Sequence, residues 1–399
     1  MRLRLVVALG FAAIVFDGYD LIVFGSVVPA LLQHPGWDLT PAEVGAIGSY
    51  ALIGMLIGAI SAGALTDLLG RRRLFIGCLA WFSLMMVGVA LAPNPELLGV
   101  FRFLAGLGFG GIAPTAIALV VETAPAARRN LLNAVMLVGF PVGGVLAALL
   151  AVALLQPYGF RVLFAIGALP LVTLVPLAMW LLPESPRFRR ARLRVRMLRP
   201  GQLLLFSVAN FAGFLLVFGL NTWLPQLMRG AGYDLGSALG FLLALNVGGV
   251  VGGLAGSALA DRWSPRWVAT VLFVVAAGAL VLLAVPMPVV AVYAGVAVAG
   301  AATVGNQIVV YGYVATHYPT HQRATALGLT SGIGRLGAAT GPLLGGLLAT
   351  SGLPLNVSVF AAVALLGAVA AVLAARGRAD VAGELAPPAQ HQNPLAEAA

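Results

Sequence analysis

The stretch Phe16-Asp17-Gly18-Tyr19-Asp20-Leu21-Ile22-Val23-Phe24-Gly25 sets two carboxylates inside an apolar run that extends from about Leu5 to Leu32. A run of that length crosses a bilayer as a helix, which needs about 20 apolar residues. A carboxylate at the centre of such a helix costs about 2.5–3.5 kcal/mol on insertion scales. Asp17 and Asp20 are three residues apart and therefore share one helical face. Charges kept at that cost face a bundle interior and are read as functional by default.

Composition extends this reading to the whole chain. Hydrophobic residues make up 61% and charged residues 9% of 399 residues, and the mean hydropathy is +1.01. So few charges cannot cover the surface of a soluble protein of this size. The 50 glycines suit helices that approach closely in lipid. Twelve apolar windows are long enough to span: approximately 5–32, 43–66, 74–92, 97–121, 131–155, 161–182, 203–227, 237–260, 267–285, 288–315, 324–350 and 354–375. They predict an all-α membrane protein with twelve transmembrane helices. The start Met1-Arg2-Leu3-Arg4 imitates a signal peptide, but the apolar run behind it is too long and carries the acid pair. The single Cys78 excludes a disulfide framework. The tail from Arg376, with Pro387 and Pro388, reads as disordered.

All 23 basic residues are arginine. With the N-terminus inside, 19 of the 23 fall on cytoplasmic segments, including seven between Arg187 and Arg199. Only Arg161 and Arg229 fall outside. The positive-inside rule then predicts a multi-pass protein of the plasma membrane (a bacterial inner membrane) with both termini cytoplasmic. The +10 net charge is an orientation signal and not a nucleic-acid footprint. Two arginines remain within spans: Arg102 toward the outer end of the fourth and Arg335 near the middle of the eleventh.

The chain also repeats itself. At a constant offset of 194, Val23-Phe24-Gly25 meets Val217-Phe218-Gly219, Asp67 meets Asp261, Pro125 meets Pro319 and Arg129 meets Arg323. This predicts a six-helix bundle over 1–182, an Arg-rich cytoplasmic linker over 183–202, a second six-helix bundle over 203–375 and a disordered cytoplasmic tail over 376–399. Parallel repeats around a midplane site are a transporter architecture. At the same offset Asp17 and Asp20 become Phe211 and Phe214, so the acid pair is not part of the shared scaffold.

The loop Gly63-Ala64-Leu65-Thr66-Asp67-Leu68-Leu69-Gly70-Arg71-Arg72-Arg73 resembles the G-x-x-x-D-x-x-G-R-R loop of the major facilitator superfamily. Asp261-Arg262-Trp263-Ser264-Pro265-Arg266 is a degraded copy, and Leu68 stands where the pattern usually has Arg. The first span, with Asp17-Gly18-Tyr19-Asp20 and then Gly25, resembles the D-G-x-D-x-x-x-x-G signature of the aromatic acid:proton symporters. Arg102 through Gly111 with Glu122, Pro183-Glu184-Ser185-Pro186-Arg187, and Gly334-Arg335-Leu336-Gly337 support it. The resemblance implies two pseudo-symmetric six-helix bundles, alternating access, and import of a benzoate-like or hydroxybenzoate-like acid with protons as coupling ion. No other cofactor is implied, and the expected partners are the small acid and the bilayer, with the protein a monomer and not an enzyme. Rival readings are a proton symporter of a dicarboxylate or sugar acid, a drug/proton antiporter, and a sensor without flux. Efflux carriers of this fold have a G-x-x-x-G-P-x-x-G-G pattern in the fifth span; here that span offers only Gly139-Phe140-Pro141-Val142-Gly143-Gly144.

The chemistry of these residues assigns candidates. Two buried carboxylates one turn apart titrate as a unit and can hold one proton, so Asp17 and Asp20 are the proton-coupling candidates. The alternative is an ion pair with Arg102 or Arg335 that holds the bundle together. Arg335 is the candidate for a substrate carboxylate, because guanidinium stays charged and binds carboxylate bidentately. Tyr19, Phe24, Phe140, Trp223, Tyr311 and Tyr313 are candidate ring contacts or plain packing. Asn210, Asn221, Asn246, Asn306 and Gln307 either bind a ring hydroxyl or bond across helices. Arg102 is divided between structure and coupling. Glu122 and His317 are gate candidates at cytoplasmic helix ends. Asp67, Gly70, Arg71, Arg72, Asp261, Arg129 and Arg323 are candidate latches. The sequence carries no metal constellation, nucleotide loop or nucleophile–base arrangement.

Overall fold

A computed structural model describes residues 2–125, 129–182, 200–318 and 320–374. The predicted linker, up to residue 199, and the predicted tail lie outside the described residues. The described chain is helical almost throughout: α1 (Arg2–Leu31), α2 (Pro41–Leu69), α3 (Arg71–Leu91), α4 (Pro95–Thr123), α5 (Arg129–Leu137), α6 (Gly139–Tyr158), α7 (Phe160–Gly167), α8 (Leu174–Leu181), α9 (Pro200–Gly230), α10 (Leu235–Arg262), α11 (Pro265–Leu282), α12 (Val289–His317), α13 (Thr320–Leu348) and α14 (Gly352–Leu373). Among the described residues eleven stretches are long and apolar enough to cross a membrane, and the last of them, Ala326–Leu373, takes in most of α13 and all of α14. With that last stretch divided between two helices, the described residues match the twelve apolar windows of the sequence.

Local chemistry sets the helix ends. Thr40 caps α2 in a reciprocal box with Glu43, and Pro41 follows at the first position, where its missing N–H costs nothing. Asn94 caps α4 ahead of Pro95, and Asp234 caps α10. The Ser237 hydroxyl and amide that Asp234 accepts hold its carboxyl below the usual range. Gly70 (φ 83°) turns α2 into α3, a conformation open to glycine at little cost. Two passes are not continuous helices. The fifth is broken at Val138 into α5 and α6, and the sixth into α7 and α8 around a 3₁₀ turn at Leu169–Leu171. Pro170 sits in that turn and has no N–H with which to continue a helix.

The 194-residue offset reappears as contacts. A methyl group on Gly54 would strike the carbonyl of Phe103, and one on Gly248 would strike that of Ala297. Gly106 lies against the Ala51 carbonyl, and Gly300 against the Leu245 carbonyl. Gly58 meets Leu107, and Gly252 meets Ala301. Each pair, glycine and partner alike, is related by the same offset. In both halves the second and fourth passes, α2 with α4 and α10 with α12, are thus pressed backbone to backbone. Dispersion at this range, rather than a hydrophobic drive, holds helices together in lipid.

The two ends of the bundle differ. Where α1 finishes and α2 begins, the halves touch closely. Gly25 lies against the Asn221 carbonyl, and Gly45 against Pro342 and Gly346. The Ser49 hydroxyl donates to Ala339 O at 2.6 Å, and Gly346 lies against the Pro41 carbonyl; within the second half the Trp223 indole donates to Pro342 O at 2.7 Å. Below this seal the halves separate around a cavity.

Candidate functional site

The cavity holds about 190 Å³. An apolar cavity of about 150 Å³ takes benzene, so this one matches a single-ring molecule. Its walls come from both halves. Asp17 on α1 faces in from one half, and Gln307, Tyr311 and Arg335 on α12 and α13 from the other. Phe140, Phe214 and Phe218 supply ring surface. Their rings make a continuous array: Phe140 to Phe218 at 6.0 Å edge-on, Phe218 to Phe214 at 6.1 Å stacked, and Phe214 to Tyr311 at 6.1 Å edge-on. These separations are those of favourable aromatic pairs.

Glycine brings the acid into place. Gly18, beside Asp17, lies against the backbone of Phe140, and Gly143 against that of Val15. Helices α1 and α6 are therefore close enough to set Asp17 next to the Phe140 ring. Asp17 is 2% exposed, and its Oδ1 has no hydrogen-bond partner among the described residues. Arg335 is the opposite charge that acts on it, and Asp20 is the like charge one turn along α1. Arg335 Nη1 donates to the Met55 carbonyl on α2 at 3.2 Å, which ties the two halves across the cavity. Tyr311 reaches the Ser331 hydroxyl at 3.0 Å, one turn before Arg335 on α13.

Asp20 lies in a second polar group, apart from the cavity wall. It is fully buried, with neither oxygen partnered among the described residues, and it packs on Gly167. Arg102 acts on it from α4, with its guanidinium 4.1 Å from the centre of the Phe24 ring. That is within cation–π range.

The remaining candidates are distributed as follows. Tyr19 is buried and donates its hydroxyl to Leu163 O at 2.8 Å. Trp223 packs on Gly345 and Gly346 at the seal. Asn306 is buried, with neither amide atom partnered among the described residues. None of these three, nor Phe24, is among the cavity-lining residues. His317 lies near Gln202 (Nε2 to Oε1, 3.1 Å), with Phe206, Tyr313 and Tyr318 around its ring. Gly70 forms the α2–α3 turn, Arg72 donates to the Met179 carbonyl, Arg71 is half-buried and Asp261 is exposed. The side chains of Asp67, Glu122, Arg129 and Arg323 lie outside the described residues. Sequence reasoning missed Phe214 and Phe218 as cavity walls. The signal was present: the two lie one turn apart, and Phe214 occupies the offset position of Asp20.

Comparison with known proteins agrees with this architecture. The Major Facilitator Superfamily profile matches residues 10–305 and, in a second match, 242–398. The chain belongs to the Major Facilitator Superfamily. Among its relatives, the gentisate transporter of Corynebacterium glutamicum is 39% identical, over 91% of this chain and 86% of that protein. The benzoate transport protein of Acinetobacter baylyi is 35% identical, over 92% and 88%. The gallate transporter of Pseudomonas putida is 32% identical, over 88% and 86%. The sequence resemblance to the aromatic acid symporters is borne out at the level of family. A solved D-xylose-proton symporter superposes with a TM-score of 0.77 at 17% identity, covering 94% of this chain and 98% of that one. It shares the fold.

Proposed function

We propose that the chain is a proton-coupled symporter that imports a single-ring aromatic carboxylate by alternating access. The observation that carries this is the cavity itself. An arginine and a carboxylic acid from opposite halves meet in a phenylalanine-walled space of about 190 Å³, the size of one ring. Relatives named for gentisate, benzoate and gallate support the substrate class.

Arg335 takes the carboxylate, exchanging its bond to Met55 O for a bidentate, charge-assisted one. Asp17 competes for the same guanidinium while it is ionised. Protonating Asp17 removes that competitor, so proton and acid load together. The two halves then rock about the site. A monoanion carried with one proton moves no net charge, and the pH gradient alone drives it. A second proton, on Asp20, would add about 2.3 kcal/mol per 100 mV of membrane potential.

Tyr19, Phe24, Trp223 and Asn306 support the cavity from behind. Arg102 sets the charge around Asp20. Asp67, Gly70, Arg71, Arg72, Asp261, Arg129 and Arg323 act as latches on the cytoplasmic face, with Glu122 and His317 at its gate. The protein is a monomeric carrier of a bacterial inner membrane, with both termini cytoplasmic and two six-helix bundles, 1–182 and 203–375, joined by the 183–202 linker. It is not an enzyme.

The test is uptake of labelled 4-hydroxybenzoate into proteoliposomes under an inward proton gradient. Accumulation that is competed by benzoate supports the reading. Folded protein that accumulates an aliphatic acid and no aromatic one overturns it in favour of another metabolite.

A further inference from the structure

We infer that Asn246 is a release element of the seal between the halves: its side-chain oxygen is shut in without a hydrogen-bond partner while the seal is closed, and is satisfied by water when the halves part. This rests on alternating access and not on which acid is carried.

Two amides fix each other's direction. Asn221 on α9 donates from Nδ2 to the Val217 carbonyl at 2.8 Å. A carbonyl can only accept, so Asn221 turns its Oδ1 toward α10. There it accepts from Asn246 Nδ2 at 2.9 Å, and the same nitrogen donates to the Leu242 carbonyl at 3.0 Å. Asn246 is left presenting Oδ1 on its far side. The residue is fully buried, and this oxygen has no hydrogen-bond partner among the described residues. It lies against Gly144 on α6, in the other half, and Ile22 of α1 closes on the same glycine. Asn221 stands one turn beyond Val217 of the cavity wall, and its carbonyl meets Gly25 in the seal. The pair therefore sits at the inner edge of the seal.

Packing does not ask for this oxygen. At the offset of 194, Asn246 becomes Leu52, Asn221 becomes Val27 and Gly144 becomes Ala338. The matching crossing between the halves, α2 on α13, is thus made with apolar groups. A buried acceptor left without a donor shifts an equilibrium by about tenfold, and low local dielectric makes it costly to keep. The bonds from Asn246 to Asn221 and Leu242 lie within the second half and persist as the halves rock. Only Oδ1 lies between the halves. Its cost falls on the sealed conformer alone and moves the balance toward opening.

The test reads distances between spin labels at the ends of α6 and α10 nearest the seal. It uses the full-length protein at a pH where the wild type divides between a short and a long distance. In Asn246→Leu, which carries the side chain of Leu52, the ratio of short to long should rise about tenfold. Asn246→Ala should shift it the same way, although it adds no large apolar group to bury, and it decides if the leucine variant does not fold. Asn221→Val removes the bond within the second half and leaves Asn246 Oδ1 held by Leu242 against Gly144. It should lower the unfolding midpoint and leave the ratio unchanged, the pattern of a purely structural role. A ratio that stays or falls in Asn246→Leu overturns the inference, as does a shift confined to leucine or shared equally by Asn221→Val. Those outcomes leave the symporter reading standing. A single distance in the wild type at every pH, with and without benzoate, overturns the alternating-access reading as well.

Discussion

The two halves of the molecule share their packing and differ in their charge. Gly54, Gly58 and Gly106 make the same backbone contacts as Gly248, Gly252 and Gly300, 194 residues later. Yet at that offset Asp17, Asp20 and Arg102 become Phe211, Phe214 and Val296. The second half therefore serves as an internal control. It builds the same helix pairs with apolar groups where the first half buries an acid and a base. Asp20 and Arg102 form no salt bridge among the described residues, and the second half keeps the same helix pairs without either charge, so the shared packing does not require them. Arg335 reverses the asymmetry, since its counterpart in the first half is Pro141. The cavity thus receives its acid from one half and its base from the other. A charge pair that meets only across the moving interface can report on both partners at once.

The most severe break in this comparison is Asp17→Asn. It keeps the size and loses the proton site. Accumulation of labelled acid under an inward proton gradient should vanish, with the internal concentration stopping at the external one. Retained gradient-driven accumulation removes Asp17 from the coupling role. Next in size is Arg102→Val, which gives the first half the residue of the second. Alone it takes the opposite charge from around the buried Asp20 carboxyl and should cost about 1–3 kcal/mol in stability. Adding Asp20→Asn, which removes the carboxyl at constant size where Asp20 packs on Gly167, should recover most of that loss. Thermal unfolding in detergent reads both. A double variant as unstable as the single one shows that the pair is structural after all.

Much of this was legible in the sequence, for physical reasons. Apolar length fixes the passes because the bilayer has a set thickness. Charges stand out within them because burial is costly. Hence Asp17, Arg335, Gln307 and Tyr311 could be named as site residues, and all four do line the cavity. Phe24, Tyr19 and Trp223 could not be told from wall residues, because an aromatic ring on a membrane helix packs equally well on a neighbour or on a ligand. Only the structure shows Tyr19 bonded to Leu163 O and Trp223 to Pro342 O. The breaks at Val138 and Leu169–Leu171 escaped too, since hydropathy does not register a local change of backbone.

Smaller effects sharpen the same comparison. Gly106→Ala and Gly300→Ala each drive a methyl group into a backbone carbonyl, and overpacking of this kind costs about 1–3 kcal/mol. The two should destabilise alike, within a few tenths of a kcal/mol; a large difference in their unfolding midpoints would mean that the halves are not equivalent scaffolds. The finest test is Ser49→Ala. Ser49 has Leu243 as its offset counterpart, and its hydroxyl on α2 donates to Ala339 O on α13, a bond between the halves. Losing that hydrogen bond costs about 1 kcal/mol. The loss weighs on the conformer closed at this end and not on the scaffold common to both conformers. Its population relative to the open one should fall about fivefold, while the unfolding midpoint barely moves. Distances between spin labels on α2 and α13 at that end read the shift. An unchanged distance distribution with a lowered unfolding midpoint would assign Ser49 to the scaffold instead of the moving seal.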